Sequence, residues 1–268
     1  MVKNRLRSVL GGLSARLKMV PSFLVIGAQK CGTTSLYAAL RQHPSCRMPR
    51  KKELHFFDTR FHLGMSWYLS YFPFRHGDGA ITGEVSPYYL FHPAVPGRVR
   101  ATLPEAGFIV MLRNPVDRAY SHYSMQRQRG IEDAESFEEA VRREKDRIGG
   151  EEEKLLQDSG YRSFPHQKLS YLARGEYLTQ IERWLRFFPL DRFHFIRSED
   201  FFADATVELK KACGFLGLEE FRPPDLRPRF TASYPEMDPD LRRRLLDYYA
   251  EEIDGLQELL GRDLEWTR

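Results

Sequence analysis

"FLVIGAQKCGTTSLYAAL", residues 23–40, decides the fold. It opens on an uninterrupted apolar run, passes through a loop bounded by Gly27 and Gly32, and continues as a helix-forming stretch. A buried strand that runs into a glycine-rich turn and then a helix presents successive backbone N–H groups to an anion at the positive helix end. Gly27 and Gly32 let the backbone turn and approach a ligand closely. Thr33, Thr34 and Ser35 add hydroxyl donors in the first helical turn. The loop departs from the triphosphate-binding pattern G-x-x-x-x-G-K-[ST], whose lysine follows the second glycine. Lys30 stands two residues before Gly32, inside the turn. From there its ammonium reaches across a cradled phosphate rather than along a triphosphate chain.

Outward from this loop, the chain repeats the same strand-then-helix grammar. Residues 108–112 (FIVML) form a second continuous apolar run, the signature of a buried parallel strand. Arg113-Asn114-Pro115 follows; Asn114 suits an N-cap and Pro115 a first helical position, so a helix is expected to run toward Gly130. Residues 193–196 predict a third strand, and 33–42 a helix ending before His43-Pro44. Alternating strands and helices predict a single α/β domain: a central parallel sheet, helices on both faces, and a P-loop-like phosphate loop. Leu245, Leu246, Tyr249, Ile253, Leu256 and Leu260 recur at helical spacing behind Asp238-Pro239 and read as core. Trp184 also reads as core. Residues 135–158 are dense in charge and broken by Gly149-Gly150. They read as a solvated helix pair and the candidate flap over the cleft, with a plain solvated face as the alternative.

Composition bounds the function. The 268 residues are 42% hydrophobic and 13% aromatic, enough for one large core, and no Gly/Ser/Pro linker divides them. A net charge of +4 is too mild to argue for nucleic acid but compatible with a local basic cleft for an anion. Cys31, Cys46 and Cys213 form no metal or redox spacing, and so few cysteines fit a reducing, cytoplasmic setting. Residues 1–20 read as a basic extension, with a peripheral membrane contact as the alternative, and residues 21–268 as the domain. No span approaches ~20 apolar residues, so no membrane helix is expected.

The end of the second strand discriminates further. A P-loop kinase or ATPase carries a magnesium-binding aspartate near there; here the strand ends in Arg113, which suits a second anion. Ser121 lies about two helical turns further on. A ligand with two separate phosphates and no need of a metal suits both halves.

On these residues the chain resembles the sulfotransferases that use 3′-phosphoadenosine 5′-phosphosulfate (PAPS). Lys30, Cys31, Gly32, Thr33, Thr34 and Ser35 match the family's 5′-phosphosulfate loop, and Arg113-Asn114-Pro115 with Ser121 its 3′-phosphate motif. "KKELHFFD" (51–58), "GEVSPYYL" (83–90), "IERWLRFFP" (181–189) and "YPEMDPDLRRRLLDYY" (234–249) are most similar to the heparan sulfate N- and 3-O-sulfotransferase branch and its bacterial relatives. Two departures stand out. The Lys-Gly-Arg stretch that precedes the C-terminal Tyr/His-Pro in the glycan enzymes is absent here, where Phe230-Thr231-Ala232-Ser233 leads into Tyr234-Pro235; Arg227 or Arg229 is the candidate substitute. Glu84 is followed by Val85 rather than lysine.

The resemblance implies sulfuryl transfer to a hydroxyl or amine, with a carbohydrate or glycolipid acceptor as first choice and a small hydroxylated metabolite next. Lys30 would neutralise charge on the leaving phosphate, and Glu53 would be the base, helped by a low-dielectric cleft that raises its pKa. His55 shares the proton transfer or orients Glu53. Asp58 and Glu84 are candidate acceptor contacts, Glu84 alternatively capping a turn. A P-loop kinase and an inactive binding module remain as competing readings.

Overall fold

The computed structural model describes residues 15–226 and 235–266. The strands are β1 (Phe23–Gly27), β2 (Gly83–Val85), β3 (Gly107–Leu112) and β4 (Phe193–Arg197), of which β1, β3 and β4 fall on the expected stretches. They form one all-parallel sheet in the order β2-β1-β3-β4. The helices around it are α1 (Thr33–Leu40), α2 (Phe56–Thr59), α3 (Gly64–Leu69), α4 (Val95–Thr102), α5 (Pro115–Gln128), α6 (Phe137–Ile148) and α7 (Glu151–Gln157). They continue with α8 (Phe164–Lys168), α9 (Tyr177–Leu185), α10 (Ser198–Ala203), α11 (Ala205–Phe215), α12 (Pro239–Tyr248) and α13 (Ala250–Leu260). β1 and β2 are buried at every position, which is why β1 reads as an unbroken apolar run. Phe23 pairs with Gly83 on one side and Gly107 on the other. A Cβ at Gly83 would lie 2.4 Å from the Phe23 ring, so only glycine fits there.

The strand order positions the site. From β1 the chain moves to β2 on one side; from β3 it moves to β4 on the other. The connections leaving the adjacent strands β1 and β3 therefore run in opposite directions from their carboxyl ends, and such a switch point opens a crevice. The glycine-rich loop leaves β1 into that crevice and Arg113 leaves β3 into it.

Local expectations meet the structure with instructive differences. Asn114 caps α5, its Oδ1 accepting from the N–H of Val116 (3.0 Å) and Asp117 (3.3 Å). α1 stops at Leu40 rather than residue 42. β2 went unread because three residues centred on a glutamate carry no strand signature. The C-terminal stripe is two helices that part at Tyr249, whose hydroxyl donates to Leu172 O (2.7 Å). Leu245, Tyr249, Ile253 and Leu256 are buried, while Leu246 and Leu260 pack half-buried against the same core. Trp184 is fully buried, and the three cysteines are buried and free.

One expectation is corrected. The charged stretch is not simply a solvated face: Glu144 of α6 is 3% exposed and accepts from the N–H of Leu172 (2.6 Å) and Ala173 (2.9 Å). The helix pair thus braces the turn after α8. Residues just ahead of 21 also pack against the domain. Met19 is buried and its N–H donates to Pro73 O (2.9 Å), and Lys18 bridges to Phe74. The remainder of the expected extension, 1–14, lies outside the described residues. Among the described residues no helix is long and apolar enough to cross a membrane.

Candidate active site

The phosphate loop has the backbone its sequence requires. Gly32 adopts φ 92° and Lys30 φ 72°, so the chain turns through left-handed conformations on either side of Cys31. Ala28 N–H donates to Met111 O (2.7 Å) and Cys31 N–H to Ala28 O (3.3 Å), which fixes the turn against β3. Among the described residues no acceptor meets the N–H groups of Lys30, Gly32, Thr33 or Thr34. These are the groups expected to cradle an anion. The Cys31 side chain is fully buried, its Sγ lies 3.7 Å from the Tyr177 hydroxyl, and burial pushes the thiol up to about 11. Its N–H is also spent on the turn, so Cys31 shapes the loop.

The cations around the loop face one another. Burial lowers the Lys30 pKa most, and the charges of Arg113, Arg129 and Arg118 lower it further. Its Nζ lies 3.8 Å from Met125 Sδ on α5. Arg118 is fully buried; one guanidinium N–H donates to Tyr171 O, while Nε and Nη1 have no partner. Ser121 is buried on α5, two turns beyond the Asn114 cap. Arg174, also buried, donates to Gln29 Oε1 (2.8 Å) and to the Gln167 carbonyl (2.7 Å), and stacks over Tyr88 and Phe91. It ties the phosphate loop to the turn after α8.

Opposite this cationic wall stand three acidic and basic side chains. Glu53 and His55 both adopt left-handed backbone, with φ 59° and 54°. For residues other than glycine that costs roughly 1–2 kcal/mol each. Hydrogen bonds hold the segment there. Glu53 N–H donates to Val85 O (3.0 Å), Leu54 N–H to Glu84 Oε1 (3.1 Å), and Phe56 N–H to the Tyr89 hydroxyl (2.9 Å). His55 Nδ1 lies 2.5 Å from Asp58 Oδ2, and its Nε2 3.6 Å from Glu53 Oε2. Burial alone would lower the His55 pKa, but the hydrogen bonds and charges of Asp58 and Glu53 raise it to about 9.

Three sequence readings change here. Burial would raise the Glu53 pKa, yet the bond from His55 and the adjacent Lys52 charge outweigh it and hold the carboxyl down at about 2. The expected upward shift is therefore reversed. Glu84 is no acceptor contact: it is 1% exposed and receives the Tyr68 (2.6 Å), Ser86 (2.6 Å) and Tyr89 (2.9 Å) hydroxyls as well as Leu54 N–H. It is the support beneath the Glu53–His55 segment. Asp58, also 1% exposed, is spent on His55 and on Thr59 N–H (2.6 Å). Arg227 and Arg229 lie outside the described residues.

The sequence reading missed Lys52, Arg129, Lys168 and Arg174. Lys52 Nζ lies 2.8 Å from Glu53 Oε1 and 3.5 Å from Thr33 Oγ1, linking the acid–base segment to the phosphate loop. Its only signal was the doubled lysine before Glu53. The charge of Lys168 is felt alongside those of Arg174, Glu53, Arg129 and Asp58.

Comparisons with known proteins agree with this geometry. The model of the sulfotransferase domain family matches residues 21–227. The chain is 30% identical to heparan sulfate glucosamine 3-O-sulfotransferase 3A1 of Mus musculus, across 93% of this chain and 65% of that protein. It is 26% identical to the membrane-associated sulfotransferase kil1 of Dictyostelium discoideum, across 95% of this chain and 68% of that protein. The chain thus spans about two thirds of the length of these relatives. The crystal structure of a sulfotransferase from Alicyclobacillus acidocaldarius is similar at a TM-score of 0.71 and 34% identity, covering 93% of this chain and 99% of that one.

Proposed function

The chain belongs to the sulfotransferase domain family, and from that premise we propose that it transfers a sulfuryl group from PAPS to a hydroxyl or amine of a carbohydrate or glycolipid. The observation that carries this reading is the set of cations around the phosphate loop, where the charges of Arg113, Arg129 and Arg118 all bear on the buried Lys30. Such a set fits a ligand with more than one anionic group. The N–H groups of Lys30, Gly32, Thr33 and Thr34 and the hydroxyls of Thr33, Thr34 and Ser35 would hold one phosphate. Arg113 and Ser121 would hold the other. PAPS would supply the activated sulfuryl group.

The residues of this chain do the rest. Lys30 places positive charge beside the loop, where charge on a leaving phosphate is neutralised without reorganisation. Glu53 is the proton acceptor. Its side chain is 41% exposed, and at neutral pH it is ionised, whereas His55 already holds its proton. That division favours Glu53 over His55 as base, with His55 orienting Glu53 and Asp58 orienting His55. The similarity to glycan 3-O-sulfotransferases supports a carbohydrate acceptor.

Two measurements test the reading. Calorimetry with the desulfated product, 3′-phosphoadenosine 5′-phosphate (PAP), should give the same affinity with and without magnesium. Transfer of label from [³⁵S]PAPS should then be screened over glycan, glycolipid, amine and small hydroxylated acceptors. Magnesium-dependent binding of ATP with no binding of PAP would overturn the proposal in favour of a nucleotide kinase. Label transfer confined to small metabolites would keep the reaction and replace the acceptor class.

A further inference from the structure

Lys52 is not placed like an ordinary surface lysine. Its side chain is 16% exposed while its partner Glu53 is 41% exposed, so the cation lies deeper than the carboxylate it pairs with. Neighbouring residues in a chain usually point apart, and an exposed ion pair between them contributes little. Here the left-handed backbone at Glu53 brings the two side chains together. The same ammonium stands 2.8 Å from Glu53 Oε1 and 3.5 Å from Thr33 Oγ1, the first residue of α1. Thr33 belongs to the cradle assigned to the donor's phosphate. One cation thus lies between the donor-binding loop and the proton acceptor.

An anion seated in the loop competes with Glu53 for that ammonium. We propose that Lys52 is a donor-sensing positioning residue: it holds Glu53 in a closed ion pair while the loop is empty and turns to the loop's anion when it is filled, so that Glu53 becomes an effective proton acceptor only in the loaded enzyme. The inference rests on the sulfotransferase reading of the cleft. The low pKa of Glu53 agrees with it, since the Lys52 charge and hydrogen bond both contribute to that lowering. The other groups facing Glu53 stay in place on filling. His55 is anchored to Asp58, and Arg174 to Gln29 and the carbonyls after α8. Lys168 contributes its charge from the end of α8. Lys52 stands beside a hydroxyl of the phosphate cradle, Thr33 Oγ1, with only the Glu53 carboxylate holding it back, whereas Arg174 is held by the Gln29 side chain and by backbone carbonyls at once.

The test is a ¹³C NMR titration of the Glu53 carboxyl in the full chain, free and saturated with PAP, in the wild type, Lys52→Met and Lys52→Arg. Calorimetry on the same samples reports PAP binding. In the free wild type Glu53 should show no titration down to about pH 4, the region of an ordinary carboxyl. With PAP its midpoint should rise into that region, a shift of about one unit or more. Lys52→Met should show the raised midpoint without ligand and little further change on adding PAP. Lys52→Arg should restore the wild-type response. A PAP-induced shift of equal size in Lys52→Met would overturn the proposal, because the ligand's own charge would then account for it. So would a wild-type midpoint that PAP binding leaves unmoved. Failure of PAP to bind the wild type would instead remove the sulfotransferase reading itself, and calorimetry separates that outcome from the others.

Discussion

The phosphate loop and the segment from Lys52 to Asp58 meet where Lys52 reaches Thr33, and their electrostatics are opposite. Around the loop like charges gather: Lys30 is buried beside Arg113, Arg129 and Arg118, and its pKa is lowered. In the second segment opposite charges alternate, Lys52, Glu53, His55 and Asp58, each within reach of the next. The first region concentrates positive charge and fits a ligand that brings negative charge. The second pairs its charges internally in the unliganded protein. The difference suggests how such a cleft divides its work, with affinity for an anion drawn from the unsatisfied side and protons handled on the satisfied side.

The largest expected effect comes from breaking the satisfied side at its exposed member. Glu53→Gln keeps the size of the side chain but cannot accept a proton. Turnover should fall by ~10²–10⁴, the range for a lost general base, while calorimetric PAP affinity changes little. If turnover survives in Glu53→Gln and dies in His55→Ala, the base is His55 and the two roles exchange.

Lys30→Ala probes the unsatisfied side. Removing a charge that acts in the transition state typically costs ~10²–10³ in rate, and PAP binding should weaken too. This paired loss contrasts with the separation expected for Glu53→Gln. Wild-type turnover in Lys30→Ala would take Lys30 out of the chemistry.

Next in size is the buried support. Glu84→Ala strands the hydroxyls of Tyr68 and Tyr89 and the N–H of Leu54. Each stranded buried donor costs about 1–3 kcal/mol. Thermal unfolding should shift down, and turnover should fall because residues 53–55 lose their anchor, while PAP affinity persists in the folded fraction. Full stability in this variant would contradict the supporting role.

The smallest effect is on stability against pH, and it separates the two regions by sign. The His55 pKa is raised to about 9, so its contribution is complete below its ordinary value near 6.5 and is lost as pH rises through about 9. Glu53, lowered to about 2, contributes above its ordinary value and loses that contribution as pH falls through about 2. Lys30 has a lowered pKa, so its charge opposes folding at neutral pH and the penalty lifts as pH rises through its folded pKa. The melting-temperature gap between wild type and His55→Asn should therefore be widest below about pH 6.5 and close above about pH 9. A gap constant across that range would show that His55 is neutral in the fold.

The fold and half of the site were legible in the sequence because their causes are local. Continuous apolar runs announced β1 and β3, the stretch 193–196 announced β4, and Asn114-Pro115 announced the start of α5. β2 was not legible: its strand is three residues long and its middle residue is a buried glutamate. In the acid–base segment the residue types were visible but their duties were not. Lys52 was passed over although it adjoins Glu53.

The sequence by itself determined the parallel α/β sheet and the loop geometry, since glycine placement, strand periodicity and helix capping act within a few residues of chain. Only the tertiary structure decided which carboxylate does what. Glu53, Asp58 and Glu84 are the same chemistry on paper. Glu84 is a structural support because Tyr68, Ser86 and Tyr89 enclose it, and Asp58 is buried against His55. Glu53 alone stayed exposed to the cleft. Desolvation and the partners that offset it set a carboxylate's role, and both are created by packing between segments distant in the chain.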